Sequence, residues 1–524
     1  MESPTVEEQL PRYRRTRWIG PIVVVIVAVI TRFWNITYPS VLNFDEHFYV
    51  KDAYSLLKLG YEGHWRAPAD AAFATGHFTR LTTTAELVQH PPLGKWIIAI
   101  GIQALGVDNP VSWRISMVVI GILAVILLMA VAYKLFRSFA LMTITGGLFA
   151  IAGNAIVMSR IGMLDNAVMF FALLAFYALL LDRDQASARL GRILARTSLP
   201  SSARSRTASV PRNPTIWGRP WLIVAGLALG LDAGVKWSGF FFLAAFVAYV
   251  IGVDVLARRR VGVARGVRGW LGGTLLRQAP VDILLMVPVA LAAYVASWTG
   301  WFVTSGGLYR QWANQPGHAL TGVFAWVPRT VQSFWHFQVY MYNFGITFDT
   351  HKQYSSPAVD WLPMTRPTHF FVGFSIPGQD GCTSTSNCAA EITDIANPLI
   401  WWVSGLCVLF LIYRFIFRRD WRVPAILIGI VGGYVPWLLI PRGTVFQFYT
   451  IAFEPYMMLA LVYVIMLTIG DSTATARRRR IGWTIVIVYL ALCLLMSAFF
   501  LPLWIGLNEP LWFIRLHYWF PGWV

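Results

Sequence analysis

Residues 19–50 read IGPIVVVIVAVITRFWNITYPSVLNFDEHFYV. The stretch begins as a nearly unbroken aliphatic run and ends in two adjacent carboxylates, Asp45 and Glu46. An apolar run this long, left by a polar turn, reads as a helix emerging from a bilayer. Arg12, Arg14, Arg15 and Arg17 precede it, a layout that secretory leaders share. No small-residue cleavage site follows the run, so it reads as a retained first membrane helix. The acidic pair would then lie just beyond the membrane edge.

The same signal recurs along the chain. Of 524 residues, 57% are hydrophobic and 13% charged, and the mean hydropathy is +0.57. Apolar runs close to the ~20 residues that span a bilayer fall at 18–37, 112–133, 139–158, 166–182, 220–235, 238–256, 281–302, 398–416, 424–440, 448–470 and 481–505. These eleven spans are continuously apolar rather than alternating, which excludes a β-barrel. The fold class is an all-α polytopic membrane protein forming one domain over 1–524. Residues 93–106, LGKWIIAIGIQALG, are short for a span and read as interfacial.

Charge decides that last assignment. With 93–106 outside the bilayer core, every dense basic segment falls on one face: the amino-terminal tail, 134–137, 183–219, 258–277, 414–422 and 477–480. That face holds 28 Lys and Arg against 9 Asp and Glu; the opposite face and its membrane edge hold 15 and 16. The positive-inside rule makes the first face cytoplasmic, so the amino terminus is inside and the carboxyl terminus outside. The net charge of +18 is therefore a topology signal, and nucleic acid is not expected as a partner. Anionic lipid headgroups are natural partners for the basic loops. The longest, 183–219, is Ser- and Arg-rich and is expected to be a flexible loop.

Two long outer loops remain, 38–92 and 303–397. The second is rich in aromatic residues, Gly and Pro, as in an aromatic belt at headgroup level. It also holds Cys382 and Cys388, whose close spacing in an oxidising compartment suggests a disulfide. Nothing resembles a zinc ligand set.

Charged groups at the outer ends of spans come from separate regions: Asp45 and Glu46, Lys95, Arg160 and Asp165, Lys236, Arg442 and Glu454. Charge at membrane depth is costly, so a shared outward cavity is the functional reading. A carboxylate there supplies a general base. Several cations suit a phosphate, and hence a lipid-phosphate substrate with its tail in the bilayer. Asp165 is read first as a cap of the fourth span.

The stretches FDEHFYVKDA, HPPLGKW (90–96), SRIGMLDNAVMFF (159–171), GLALGLDAGVKWSGFF (226–241), HKQYSSPAVDWLPM (351–364), NPLIWW (397–402) and PRGTVFQFY (441–449) together resemble the protein O-mannosyltransferases. That family belongs to the GT-C glycosyltransferases. The resemblance implies transfer of mannose from polyprenyl-phosphate-mannose to Ser or Thr hydroxyls of secreted proteins at the outer face of the plasma membrane, with inversion. It makes Asp45 the base and Glu46 its orienting partner or that of the acceptor. It assigns Arg160, Lys236 and Arg442 to the donor phosphate, His90 and Lys95 to support, and His351 to sugar or acceptor. Loop 303–397 is too short for the β-trefoil insert of eukaryotic members, so the chain resembles a bacterial, actinobacterial-type one. No cofactor is expected; a divalent cation on Asp45, Glu46 and His47 is the alternative. Acceptors must arrive unfolded, which makes the protein export machinery an expected partner.

Overall fold

The computed structural model describes residues 16–87, 89–198, 213–260, 269–347, 354–440, 444–471 and 473–524. The first helix, α1 (Ile19–Phe33), is followed by α2 (Glu46–Leu59) in the segment 38–92 and by α3 (Leu93–Leu105) after it. A bundle then forms from α4 (Pro110–Phe136), α5 (Phe139–Ala150), α6 (Gly153–Met158), α7 (Asp165–Ser198), α8 (Pro220–Val235), α9 (Gly239–Arg260) and α10 (Ala279–Ser297). After α11 (Arg329–Thr347) come α12 (Pro398–Phe417), α13 (Arg422–Gly433), α14 (Val435–Leu439), α15 (Glu454–Ile469) and α16 (Ala476–Ile505).

Among the described residues, six helices are long and apolar enough to cross a membrane: 110–136, 165–193, 239–260, 274–297, 398–417 and 476–505. Six shorter apolar helices accompany them, including α1, α8 and α15. Several expected spans are broken rather than continuous. The run 139–158 divides at Ile151 and Ala152, where Gly153 abuts the Trp504 ring. The run 424–440 divides at Tyr434, just before Pro436, whose ring and missing N–H disfavour continuation. At 448–470 a 3₁₀ turn, Gln447–Ala452, precedes α15.

The expectation of a loop at 183–219 needs correction. Helix α7 runs on to Ser198, because Ala, Leu, Arg and Gln dominate that stretch and favour helix. Residues 199–212 lie outside the described set.

Close backbone approach holds the bundle centre. Gly226 and Gly230, four apart on α8, face Met286 and Ala290 of α10; a Cβ on either would lie 2.5 and 2.2 Å from a backbone oxygen there. Small residues at this spacing let membrane helices pack without side chains between them.

Two small antiparallel sheets decorate the Asp45 end. β1 (Gly63–Trp65) pairs with β2 (Leu81–Ala85) in the segment 38–92. In the second sheet β3 (His369–Ser375) pairs with β4 (Cys388–Thr393), which pairs with β5 (Asn508–Pro510). The described part of 303–397 thus holds one long helix, short turns and two strands.

Candidate active site

The two acidic neighbours, Asp45 and Glu46, face different surroundings. Asp45 immediately precedes α2 and is half-buried. The residue before it, Phe44, has φ +45°, a left-handed conformation that is strained for an aromatic residue. Its ring is gripped edge-on by Phe370, Phe446 and Phe448, with centroids 5.2, 5.5 and 5.8 Å away. That clamp sets where the Asp45 backbone begins its helix. One turn on, Tyr49 donates its hydroxyl to Asp45 Oδ2 at 3.3 Å.

Glu46 is fully buried and committed inward. Arg114 of α4 grips both its oxygens, Nε to Oε1 and Nη2 to Oε2, each at 3.0 Å. The Gly162 amide donates to Oε1 at 2.7 Å and the Asn43 amide to Oε2 at 3.2 Å. A carboxylate with this many charge-assisted bonds is a structural anchor. Of the two expected roles, fixing the turn that carries Asp45 is the one these partners fit.

Tyr49 leads from Asp45 towards a cavity of about 320 Å³. Burial first, then the charges of Asp45 and Asp165, push its phenol well above the ordinary range, so it stays a hydrogen-bond donor. The His90 ring lies 6.1 Å from the Tyr49 ring and borders the cavity. The cavity's polar end is formed by His90, Asp165 and Lys236; its remaining wall includes Phe241, Trp437 and Ile346. Lys236 follows the end of α8, where its extended backbone turns the ammonium towards α7. Its Nζ lies 2.7 Å from Asp165 Oδ2 and 4.7 Å from the centre of the Tyr449 ring. Asp165 is the first residue of α7 and pairs with Lys236.

Two expected phosphate or support residues lie elsewhere. Arg160 is buried and donates to carbonyls at and just past the end of α1, those of Arg32 (3.1 Å), Trp34 and Asn35 (3.0 Å). A cation satisfying the free carbonyls of a helix C-terminus is held there by the helix itself. Lys95 is buried between Asp52 (3.0 Å) and Glu62 (3.2 Å). Burial opposes its charge, but those two carboxylates outweigh it and hold its pKa above the usual value. Neither residue borders the cavity. Arg442 and His351 lie outside the described residues.

The alternative cation set is not assembled either. His47 Nδ1 lies 3.0 Å from Asp70, beside Lys51, and Glu46 is held by Arg114. Among the described residues no group of three His, Cys, Asp or Glu could hold a metal. Cys382 and Cys388 form a disulfide with Cα atoms 5.8 Å apart, closing the β3–β4 hairpin.

Sequence reasoning missed Tyr49 and Arg114. Tyr49 is four residues beyond Asp45, the spacing that puts two side chains on one helix face, so its signal was readable. Arg114 stands in the first turns of an apolar helix, where a charge calls for a partner. It also missed a second ionic cluster. Arg219 bonds Asp182 (Nη2, 2.5 Å), Asp254 (2.5 Å) and Asp282 (2.7 Å), while Arg258 bonds Asn213 and Gln278. Asp165 and Asp182 are 17 residues apart on α7, or roughly 25 Å at helical rise, so this cluster, well away from Lys236, ties the middle of α7 to α9 and to the first turn of α10.

A family model described as dolichyl-phosphate-mannose-protein mannosyltransferase matches residues 22–197. Another, the C-terminal four TMM region of protein-O-mannosyltransferase, matches residues 330–523. The chain is 29% identical over 524 residues to the polyprenol-phosphate-mannose–protein mannosyltransferase of Mycobacterium tuberculosis, covering 98% of this chain and 93% of that one. The enzyme of the same name from Corynebacterium glutamicum is 28% identical, with 98% and 95% covered. Among solved structures, the S. cerevisiae protein O-mannosyltransferase Pmt1-Pmt2 complex bound to the sugar donor aligns with TM-score 0.69 at 12% identity, covering 97% of this chain and 93% of that chain. The archaeal oligosaccharyltransferase AglB from Archaeoglobus fulgidus, in complex with an inhibitory peptide and a dolichol-phosphate, aligns with TM-score 0.50 at 14% identity, covering 97% and 58%. At such identities the structural likeness speaks for the fold: a mostly helical, multi-pass membrane architecture of GT-C type.

Proposed function

The chain belongs to the protein O-mannosyltransferase family, and from that premise we propose that it moves mannose from polyprenyl-phosphate-mannose to a Ser or Thr hydroxyl of a secreted protein. One observation carries the reading. Asp45 connects through Tyr49 and His90 to a cavity with one ionic end, Lys236 and Asp165, and an otherwise apolar wall. An amphiphile with a phosphate between a sugar and a long hydrocarbon chain suits such a space.

The chemistry is a single displacement with inversion. The acceptor oxygen attacks the anomeric carbon of mannose as the bond from that carbon to the phosphate oxygen breaks. The hydroxyl proton passes to Asp45, and the bonding electrons leave with polyprenyl phosphate. Asp45 acts as general base, worth typically 10²–10⁴-fold in rate. Lys236, held ready by Asp165, meets the charge that grows on the leaving phosphate. Arg442 joins it by the family resemblance, and His351 contacts sugar or acceptor on the same ground. Arg160, Lys95 and Glu46 support the site through the elements they anchor. The four-residue combination of cation, base, phenol and imidazole supplies the electrostatics, so no metal is required. Activity lost in chelator and restored by Mg²⁺ or Mn²⁺ would overturn that last point.

The topology proposed has about eleven spans, the amino terminus in the cytoplasm and the Asp45 end outside the plasma membrane, where unfolded acceptors leave the export machinery. The test is transfer of radiolabelled mannose from polyprenyl-phosphate-mannose to a Thr-rich peptide by membranes containing the protein. The expected product is an α-mannosyl peptide from a β-linked donor. Label appearing only in polysaccharide or lipid would overturn the protein acceptor, and a β-linked product would overturn the single displacement.

A further inference from the structure

The second sheet ends in β3, whose outer edge pairs with no strand among the described residues. β3 bonds to β4 on one side, and in the order β3-β4-β5 it has no neighbour on the other among the described residues. Residues 370–376, FFVGFS of the strand and Ile376 just past its end, carry no charge and no proline, two of the means of blocking an edge. Val372, Phe374 and Ile376 alternate along one face and are 39%, 72% and 52% exposed. A strand placed beside β3 would find this row of apolar side chains at the two-residue period a strand presents.

The edge is rigid and begins at the candidate site. The Cys382–Cys388 disulfide closes the hairpin, and Asn508 ties β5 to Ser375 Oγ (2.7 Å) and to the Asp380 carbonyl (2.9 Å). At the start of β3 the Phe370 ring packs on Phe44, directly before Asp45, and on Phe448 at 5.5 Å. The Phe448 ring centre is in turn 5.7 Å from Lys236 Nζ. One aromatic cluster therefore joins the start of the strand to both the base and the cation of the cavity.

We propose that the acceptor polypeptide binds as an added strand on the free edge of β3, with the hydroxyl to be modified just beyond the Phe370 end, beside Asp45. This rests on the reading of the chain as a protein mannosyltransferase and says how the protein substrate is held. Main-chain hydrogen bonds supply affinity that is indifferent to sequence, while the alternating apolar row favours β-branched or aromatic residues at every second position. Only an extended, unfolded segment can add in this way. The acceptor residue itself stays outside the strand, where its hydroxyl is free to react.

The test is equilibrium binding of a fluorescent twelve-residue Thr-containing peptide to the purified full chain in detergent, alongside transfer. Wild-type protein is compared with Val372→Asp and Phe374→Asp, and with Phe374→Leu as the conservative control. Thermal unfolding verifies the fold of each. Each Asp variant is expected to weaken peptide binding at least tenfold while polyprenyl-phosphate binding stays at the wild-type value; Phe374→Leu keeps peptide binding. A second peptide series, N-methylated at one alternate set of amides or the other, should lose binding to wild-type protein for one set only. Equal binding of both sets, or Asp variants that bind the peptide normally, would overturn strand addition. Peptide that binds in this pattern but is never mannosylated would overturn the activity and leave the strand site standing.

Discussion

Helix α8 has charge at both of its ends, and the two ends use it differently. At one end Arg219 faces Asp182, Asp254 and Asp282, with Arg258, Asn213 and Gln278 closing the remaining bonds. Four segments converge, nearly every polar atom is matched, and the cluster does not border the cavity lined by Lys236. At the other end Lys236 and Asp165 form a single pair at the rim of that cavity, and Asp45 stands half-buried behind Tyr49. The first arrangement fixes helices. The second keeps charge beside space, which is what a reacting molecule needs. Buried charge is thus not by itself a mark of function in this molecule; charge beside an unfilled volume is.

The comparison breaks most visibly at Asp45. Asp45→Asn keeps the size and the Tyr49 contact but removes the base, so transfer should fall by about 10²–10⁴-fold. Its unfolding temperature should match the wild type; near-normal turnover would return Asp45 to an ordinary turn residue. Arg219→Met should act in the opposite way. It leaves three buried carboxylates short of their shared cation and should cost about 3–5 kcal/mol of stability. Detergent unfolding would register this, while turnover per folded molecule should be unchanged. A rate defect without a stability defect would contradict the division between the ends.

Glu46→Gln sharpens the contrast between neighbours. Losing the charge-assisted fork with Arg114 should destabilise by about 2 kcal/mol. Acceptor KM should move little, because the carboxylate faces Arg114, Gly162 and Asn43. A selective rise in acceptor KM with an unchanged unfolding temperature would restore an acceptor role.

A pH-dependent effect concerns Asp394, directly after β4. Burial pushes its carboxyl up to about 8; Oδ1 accepts from the Thr368 amide, whereas Oδ2 has no partner among the described residues. A raised folded-state pKa means that the folded protein holds this proton more tightly than the unfolded chain. Its contribution to stability is therefore most favourable when the acid is protonated, and is lost as pH rises from the ordinary carboxylate range through about 8. Asp394→Asn should flatten that slope, with the variant gaining on the wild type at pH 8 relative to pH 5. Parallel stability curves for the two proteins would show that Asp394 does not carry it.

Much of this architecture was legible in the chain. Apolar runs marked the helices, and FDEHFY marked the candidate site, because two carboxylates beyond a membrane helix need a reason to be there. Local spacing even carried Tyr49, one turn from Asp45. What it could not carry was which cations remain available. Arg160 and Lys236 both stand near Asp165 in sequence or space, yet Arg160 serves carbonyls at and just past the end of α1, more than 120 residues away in the chain. Lys95 meets Asp52 and Glu62 only after the segment 38–92 has folded back on α3. Asp45 and Glu46 differ only in the helix face each presents, a matter settled by Arg114. Breaks within apolar runs were equally hidden, since Gly153 yields to a Trp504 ring from the far end of the chain.

The account's central claim is that the base, reached from the cavity through Tyr49 and His90, and the phosphate cation at the cavity's ionic end divide the work. It is tested most directly by measuring polyprenyl-phosphate-mannose binding and its single-turnover transfer to peptide in two purified proteins. One is Asp45→Asn; the other is the paired variant Lys236→Met with Asp165→Asn, which removes the ion pair together and leaves no lone buried charge. Asp45→Asn should bind donor as the wild type does and transfer almost none of it. The paired variant should remain folded and lose donor binding. Donor bound at wild-type affinity by the paired variant, or transferred at wild-type rate by Asp45→Asn, would contradict the claim.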